Sequence, residues 1–224
     1  RFVIVTVETD ENDSRYTAPR EGGGCDAGGV WGDVFLHPLH AVLTGERDGY
    51  YADFGEAEQL VKAFNTPFVY DGCYSPFRRR RHGNSASGLA RERFIVCTQN
   101  HDQVGNRPRG DRLSTILSPE AQRLAAALLL LSPGTPLLFM GEEYAETSPF
   151  PFFCSFLDPQ LSEAVRAGRR REFAELAFKW GDDLPDACSE ATFQSARLKW
   201  SWPEGSHQAG IRQLYRELLH ARRK

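Results

Sequence analysis

Short apolar runs that end in polar residues recur along the chain. Residues 2–7 form an almost unbroken β-branched and aromatic run that ends on Glu8, and a similar run over Phe94–Thr98 ends in a polar cluster. Such runs are typical of parallel strands buried on both faces. Two further strands are predicted over Phe35–Leu43 and Pro136–Met140. Pro38 has no N–H to donate, so it would interrupt a central ladder.

Helical patterns alternate with these runs. The predicted helices cover Glu56–Phe64, Ser118–Leu131 and Ile211–Lys224. Apolar residues recur at helical spacing in the first, and Pro67 follows it as a stop signal. The second starts with Ser118 as a cap, Pro119 at the first helical position and Glu120 in the first turn.

This alternation predicts an α/β fold with a parallel sheet and crossover helices. Polar residues at strand ends fit either a barrel or a doubly wound sheet, and no G-x-G-x-x-G motif follows a strand. A complete (β/α)8 barrel has eight strands in about 250 residues, whereas the pattern here predicts about half that number. We therefore predict a partial (β/α)8 TIM barrel, roughly strands 5 to 8 with their helices.

The ends of the chain suggest a piece of a longer protein. Arg1 leads at once into apolar residues, and the last amphipathic helix has no polar tail after it. Free termini are usually polar and frayed. We expect residues 1–224 to form one incomplete domain whose remaining strands lie elsewhere.

Composition and charge exclude several classes of partner. The formal net charge of -3 gives no general attraction to nucleic acid or to a membrane surface. The longest apolar stretch, Leu124–Leu131, is too short to span a bilayer. Five scattered cysteines form no C-x-x-C pair and are interpreted as reduced, buried thiols. A cytoplasmic protein that binds a neutral sugar or polyol, with no cofactor and no metal, is the simplest hypothesis.

Three acidic strand ends are candidates for chemistry: Glu8, the His101–Asp102 pair and Glu142–Glu143. Glycoside cleavage needs a protonated carboxyl group at the leaving oxygen and a carboxylate that stabilises the charged transition state. Glu8 and Asp102 suit these roles, although acids after strands are more often caps or solvated loop residues. His101 also suits a metal ion, but no second ligand cluster accompanies it.

Other clusters have simpler interpretations. The basic run Arg78–Arg81 is more often a solvated loop than a phosphate or RNA site in a net acidic chain. Several aromatic residues offer flat faces for sugar rings, although aromatic residues mostly pack in cores. They are Trp31, Tyr50, Tyr51, Tyr144 and the Phe150–Phe153 cluster.

Several strings resemble the α-amylase superfamily of glycoside hydrolases in its trehalohydrolase form. Gln99–Arg107, QNHDQVGNR, is similar to the seventh-strand motif, and Val7–Arg15, VETDENDSR, is similar to the fifth-strand motif. Further matching strings are Leu43–Gly55, Arg80–Gly83, Thr135–Glu143 and Ala191–Trp200. The resemblance therefore extends through most of the chain.

The resemblance implies a retaining hydrolase that cuts the α-1,4 bond next to the trehalose unit of maltooligosyltrehalose or a related α-glucan. Glu8 would be the general acid and base. Asp102 and His101 would bind hydroxyls of the sugar in the cleavage subsite. Gln103, Arg107 and Phe150 are further candidates for substrate binding.

The family's nucleophile is an aspartate at the end of the fourth barrel strand, and no residue here matches it. We also find no counterpart of the N-terminal β domain, the first four barrel strands or the C-terminal β domain. The chain is therefore expected to need an upstream half, and to be inactive alone. Around Trp31–His40 the family usually has a second acid and a further histidine, whereas Val34 and Leu36 stand here.

Two other functions remain open. An α-glucan branching enzyme or another transglycosylase of the superfamily would share the acid and the stabilising aspartate. A non-catalytic barrel fragment that acts only in binding or assembly would need neither. In either case four parallel strands would leave open edges, so we expect the isolated chain to aggregate or to require a partner.

Overall fold

Two units make up the chain in a computed structural model that describes residues 3–32, 35–173 and 184–223. Unit 1 combines Arg1–Thr98, Glu120–Leu138 and Leu214–Lys224, whereas unit 2 combines Gln99–Pro119 and Phe139–Gln213. Unit 1 is thus assembled from three separate stretches of sequence.

Parallel pairing of short strands organises unit 1. The described strands are β1 (Thr6–Glu8), β2 (Gly29–Trp31), β3 (Asp71–Ser75), β4 (Arg80–Gly83), β5 (Phe94–Val96) and β6 (Thr135–Pro136). A four-stranded parallel sheet has the order β1-β2-β5-β6, which follows the order of the chain. The β3 and β4 strands form a separate antiparallel hairpin.

Helices connect and follow the strands. The described α-helices are α1 (Leu36–Thr44), α2 (Ala57–Asn65), α3 (His101–Gly105), α4 (Leu113–Ile116), α5 (Pro119–Leu130), α6 (Pro159–Glu172), α7 (Glu190–Ser195) and α8 (His207–Arg222). The predicted α/β class with a parallel sheet is confirmed. The strands within the described ranges do not close into a barrel.

Helices with clear end signals lie where the sequence predicts them. In α2 the Gln59 side chain accepts hydrogen bonds from the Gly55 and Glu56 N–H groups, 2.9 and 3.0 Å away, and thereby caps the first turn. Helix α5 begins at Pro119, whose missing N–H is not needed at that position. The predicted C-terminal helix is present as α8 and begins four residues earlier than predicted.

The predicted strand over Phe35–Leu43 is wrong, because this segment forms helix α1. Pro38 is the third residue of the helix, where an N–H has no intrahelical partner, so proline disrupts nothing. Gly45 ends the helix with φ +77°, a left-handed conformation that favours glycine. The strand of this region is instead β2, which starts on a glycine and so has little strand propensity.

The other strand predictions are confirmed in part. The first apolar run pairs only over β1, and Val3, Ile4 and Val5 are exposed rather than buried, because β1 is an edge of the sheet among the described strands. The β6 strand covers two residues instead of five, although the Leu137 N–H still donates to the Val96 carbonyl at 2.8 Å.

The cysteine interpretation also needs a correction. All five thiols are free, as predicted, and Cys97 is fully buried. Cys25, however, is exposed, because it lies in an irregular segment before β2.

Aromatic residues fill the core of unit 1. Phe68 and Phe94 meet edge to face with ring centroids 5.3 Å apart, and Phe54 meets Tyr70 in the same way at 5.4 Å. These rings pack with Val30 of β2 in one buried cluster. Burial of such large apolar surfaces is the main favourable term in folding.

Arg222 near the end of α8 holds together the end of α5 and the segment that enters β6. Its guanidinium donates to the carbonyls of Leu130, at 2.9 Å, and of Ser132 and Gly134. Carbonyls at a helix C-terminus have no intrahelical donor, so this cation satisfies them and complements the helix dipole.

Substitution Arg222→Gln is therefore expected to reduce the free energy of unfolding by about 2–4 kcal/mol, since charged donors to partly buried carbonyls are lost. The measurement is urea denaturation of the full-length protein. Arg223→Gln is the matched control, because that neighbouring side chain is exposed. Equal midpoints for the two variants would contradict the role of Arg222.

Candidate active site

Glu8 stands at the C-terminal end of β1, opposite Trp31 of β2, with its side chain exposed. The backbone beyond it is held in place: the Thr9 N–H donates to the Trp31 carbonyl at 3.1 Å. Glu8 is thus a carboxylate presented to solvent from a fixed strand end.

The β3–β4 hairpin fixes the segment that follows Glu8. Arg78 Nη2 lies 2.9 Å from Asp10 Oδ2, and His82 Nε2 lies 2.7 Å from the Asp10 carbonyl oxygen. Arg78 is mostly buried, and its guanidinium also lies 5.8 Å from the centroid of the Tyr70 ring. This arginine of the basic run is therefore engaged within the fold.

Asp53 anchors both ends of β3 and the turn that follows it. It accepts hydrogen bonds from the Tyr70 hydroxyl at 2.8 Å, the Phe77 N–H at 3.0 Å and the Ser75 hydroxyl. Burial and the Asp53 carboxylate together raise the pKa of Tyr70 well above its usual range. The phenol therefore remains a donor at any physiological pH.

Asn100 makes the turn that presents the seventh-strand motif. Its side-chain oxygen accepts hydrogen bonds from the N–H groups of Asp102, at 2.8 Å, and Gln103, at 3.1 Å. This is an N-cap, and it starts α3 immediately after the extended segment that follows β5. The buried amide therefore determines where the His101 and Asp102 side chains lie.

Gln99 secures the other side of this turn. Its Nε2 donates to Glu142 Oε2 at 3.3 Å, and its Oε1 accepts the Leu113 N–H at 3.1 Å. Both Gln99 and Glu142 are buried. Glu142 is thus part of the support of the motif and is not exposed for chemistry.

His101 and Asp102 are the exposed members of the motif. His101 Nε2 lies 3.5 Å from Asp102 Oδ1, and slightly more than half of each side chain is accessible. A carboxylate and an imidazole side by side offer acceptors and donors to adjacent hydroxyl groups of one ligand.

The remaining predicted residues lie in α3 or beside it. Gln103 is half-buried, and Arg107 Nε lies 3.8 Å from Asp111 Oδ2. The Phe150 N–H donates to the Gly110 carbonyl at 2.8 Å, and a methyl group on Gly105 would lie 3.8 Å from the Phe150 ring. Phe150 therefore packs beside α3 and presents part of its ring to solvent.

Unit 2 thus brings together five of the six predicted site residues: His101, Asp102, Gln103, Arg107 and Phe150. Glu8 belongs to unit 1. That the carboxylates of Glu8 and Asp102 act on one ligand stays a prediction. Among the predicted sugar platforms, Tyr51 and Tyr144 are buried core residues, whereas Phe150 is partly accessible and lies beside α3.

Two residues that hold segments of unit 2 in place were missed by the sequence analysis. Arg169 of α6 donates to Asn106 Oδ1 at 3.2 Å and to the Gly105 carbonyl at 3.3 Å, while its guanidinium contacts the rings of Phe152 and Phe173. Its only local signal is its place in a basic run, which more often marks a solvated face.

Glu146 is the second. It accepts hydrogen bonds from the N–H groups of Thr147, Ser148 and Lys199 at 2.6–2.8 Å. Burial alone would raise the pKa of Glu146, but these backbone donors hold it below its usual range. The Glu146 carboxylate therefore organises the loop after Glu142 and Glu143.

The part of the chain that the structure describes contains neither a group of metal ligands nor a membrane-spanning helix. Within residues 3–32, 35–173 and 184–223 no three His, Cys, Asp or Glu side chains are grouped to hold a metal ion. The helices in those ranges are also too short or too polar to cross a bilayer.

Similar proteins cover nearly the whole chain. Malto-oligosyltrehalose trehalohydrolases of Saccharolobus solfataricus and Mycobacterium tuberculosis are 47% and 42% identical over 88% and 99% of it. Along nearly its whole length the chain is therefore similar to proteins named malto-oligosyltrehalose trehalohydrolase. It spans 34% and 38% of the length of those two trehalohydrolases. No protein-family profile matches the chain.

A solved structure is similar to the chain as well. The crystal structure of a candidate α-amylase from Salmonella typhimurium is 39% identical, with a TM-score of 0.88. The match covers 98% of this chain and 37% of that one. The fold of this chain is therefore also present within a longer chain whose crystal structure is known.

Arg169 clamps the end of α3 through its bonds to Gly105 and Asn106. Loss of this clamp is expected to loosen residues 101–107. Arg169→Ala removes both bonds to the segment after α3 and two ring contacts, at a cost of about 1–3 kcal/mol. Hydrogen exchange of a peptide over residues 101–107 should accelerate. Arg170→Ala is the control, because Arg170 is largely exposed, and equal acceleration in both variants would rule out the clamp.

Gly110 is expected to tolerate no side chain. It has φ +68°, and an added Cβ would lie 2.2 Å from the Pro151 N atom and 2.3 Å from the Phe150 carbonyl carbon. Gly110→Ala should reduce stability by about 2–4 kcal/mol, from backbone strain and displacement of Phe150. Gly168→Ala, in an open position within α6, should instead stabilise by about 0.5–1 kcal/mol.

Both glycine variants are compared by thermal unfolding of the full-length protein. A destabilised Gly168→Ala, or an unaffected Gly110→Ala, would contradict the packing described above.

Proposed function

We propose that this chain is part of an enzyme that hydrolyses the α-1,4-glucosidic bond next to the trehalose unit of maltooligosyltrehalose and releases trehalose. The observation that carries the proposal is identity of 41–47% to named trehalohydrolases over 88–100% of the chain. The exposed His101–Asp102 pair, held by a buried cap, supports it as well.

In the proposed mechanism Glu8 protonates the leaving oxygen and later deprotonates the attacking water. This role requires a carboxyl group that reaches the bond from a rigid support, as the end of β1 provides. Asp102 and His101 would bind hydroxyls of the sugar that becomes positively charged, and hold them more tightly in the transition state.

Phe150, Gln103 and Arg107 would complete the substrate site. Phe150 offers a partly exposed ring beside α3, on which the apolar face of a sugar can stack. The Gln103 side-chain oxygen is buried without a hydrogen-bond partner among the described residues, so a side-chain rotation that exposed it would let it accept a hydrogen bond from a sugar hydroxyl.

The strand order supports a place within a (β/α)8 barrel, as we also propose. In a doubly wound sheet the order reverses at a switch point, whereas β1-β2-β5-β6 follows the chain. In the barrel these strands would be the fifth to eighth. The first four, the nucleophilic aspartate and the flanking β domains would come from other parts of a longer protein.

Product analysis of the full-length protein tests this function. With maltooligosyltrehalose as substrate, trehalose should be released. Glu8→Gln should reduce the rate by about 10²- to 10⁴-fold, since amides cannot transfer the proton. Glu21→Gln, an exposed carboxylate in a turn of the same unit, should retain full activity.

The products also distinguish the alternatives. Longer or branched glucans without trehalose would indicate a transglycosylase, and maltose from unmodified glucan would indicate an ordinary amylase. No turnover of any glucan would leave a binding or assembly role. Equal rates for the Glu8 and Glu21 variants would overturn the assignment of the acid.

The 224-residue chain alone is expected to be inactive and to self-associate. Val3, Ile4 and Val5 are exposed beside the edge strand β1, an arrangement that templates pairing with other chains. Size-exclusion chromatography of the isolated chain measures its self-association, and an assay of trehalose release measures its activity. A monomer with a sharp unfolding transition, or turnover by this chain, would contradict them.

A further inference from the structure

Two cysteines that are distant in sequence meet in unit 2. Cys154 lies in the irregular segment after Phe150, and Cys188 lies just before α7. Their Sγ atoms are 3.6 Å apart, and both side chains are partly accessible. The other three cysteines, Cys25, Cys73 and Cys97, belong to unit 1.

The backbone places the two residues side by side. The Cys154 N–H donates to the carbonyl of Ala187, the residue before Cys188, at 2.8 Å. On the other side the Cys188 N–H donates to Asp186 Oδ1 at 3.0 Å, and that carboxylate is bound by Arg166 at 2.8 Å. Both thiols are therefore held by main-chain and charged contacts next to each other.

We propose that Cys154 and Cys188 form a reversible dithiol–disulfide site that low-molecular-weight disulfides oxidise. A disulfide needs sulfurs at about 2.05 Å and closely spaced backbones. The backbone hydrogen bond beside the pair supplies the second requirement, and a side-chain rotation with a small shift supplies the first. This site stands independently of the proposed hydrolase function.

The exchange proceeds in two balanced steps. The thiolate of one cysteine attacks a sulfur of the small disulfide, which releases one small thiol and leaves a mixed disulfide. The second cysteine, as a thiolate, then attacks the Sγ atom of the first cysteine and expels the other small thiol. The two protein thiols are oxidised, the small disulfide is reduced, and both protein protons end on the two small thiols.

Cys188 is the residue expected to react first. Burial and the neighbouring Cys188 sulfur raise the pKa of the Cys154 thiol to about 11, so Cys154 keeps its proton near neutral pH. Cys154 then acts as the resolving thiol, because it already lies in contact with its partner. In the mixed disulfide Cys188 carries no thiolate charge that opposes ionisation of Cys154, so Cys154 releases its proton to solvent as it attacks.

The bond would join two parts of unit 2 that ring contacts and a backbone hydrogen bond already bring together. The ring of Phe153 lies 6.1 Å from that of Phe150 and 5.2 Å from that of Phe193 in α7. Oxidation would therefore tie the segment that follows Phe150 covalently to the start of α7.

The test is peptide mass spectrometry of the full-length protein after incubation with oxidised glutathione under native conditions. Free thiols are blocked with iodoacetamide before digestion. We expect a cross-linked Cys154–Cys188 peptide pair at roughly tenfold or greater excess over mixed disulfides at these positions, because the second step is intramolecular. Dithiothreitol should restore both thiols.

Serine variants supply the controls. Cys154→Ser should leave glutathione on Cys188, whereas Cys188→Ser should leave Cys154 largely unmodified. Cys73→Ser, a partly buried cysteine of unit 1, should leave the cross-link unchanged. Stable mixed disulfides without the cross-link in the unsubstituted protein, or a cross-link that appears only after denaturation, would overturn the proposal.

Discussion

Parallel pairing in chain order is the constraint on which the rest of the molecule depends. Strands paired in this way have their carboxyl ends at one edge of the sheet, and each must be followed by a connection that returns to the opposite edge. In unit 1 the strand β1 consequently ends on Glu8 next to Trp31, the last residue of β2. A polar residue placed at such an end is presented by backbone that neighbouring strands already hold.

Hydrogen bonds to backbone groups prepare the candidate site. Asn100 uses its amide to start a helix, Arg169 binds the end of that helix, and Gly110 holds Phe150 through its carbonyl. The exposed His101 and Asp102 therefore need few contacts of their own. Preorganisation of this kind lowers the cost of ordering side chains when a ligand binds.

The sequence allowed prediction wherever a signal is local. Pro119 is such a local signal for the start of a helix, and the prediction of α5 is confirmed. The apolar run over Phe35–Leu43 misled, because a short apolar run suits a buried strand and a buried helix equally. Pro38 argued against a central strand, and it also suits the first turn of a helix. The role of Glu146 and the meeting of Cys154 with Cys188 arise from contacts distant in sequence, which local patterns do not contain. The site residues were found through a resemblance of motifs, since an acid after a strand is by itself a weak signal.

The bonds of Arg222 have a consequence for synthesis on the ribosome. Its partners Leu130, Ser132 and Gly134 precede it by 88–92 residues, and the larger stretch of unit 2, Phe139–Gln213, is translated in between. The end of α5 and the entry to β6 therefore emerge from the exit tunnel long before the cation that caps them. Unit 1 reaches its final set of contacts only after unit 2 has been made, so folding here cannot proceed strictly from the N-terminus, as it generally does for consecutive domains.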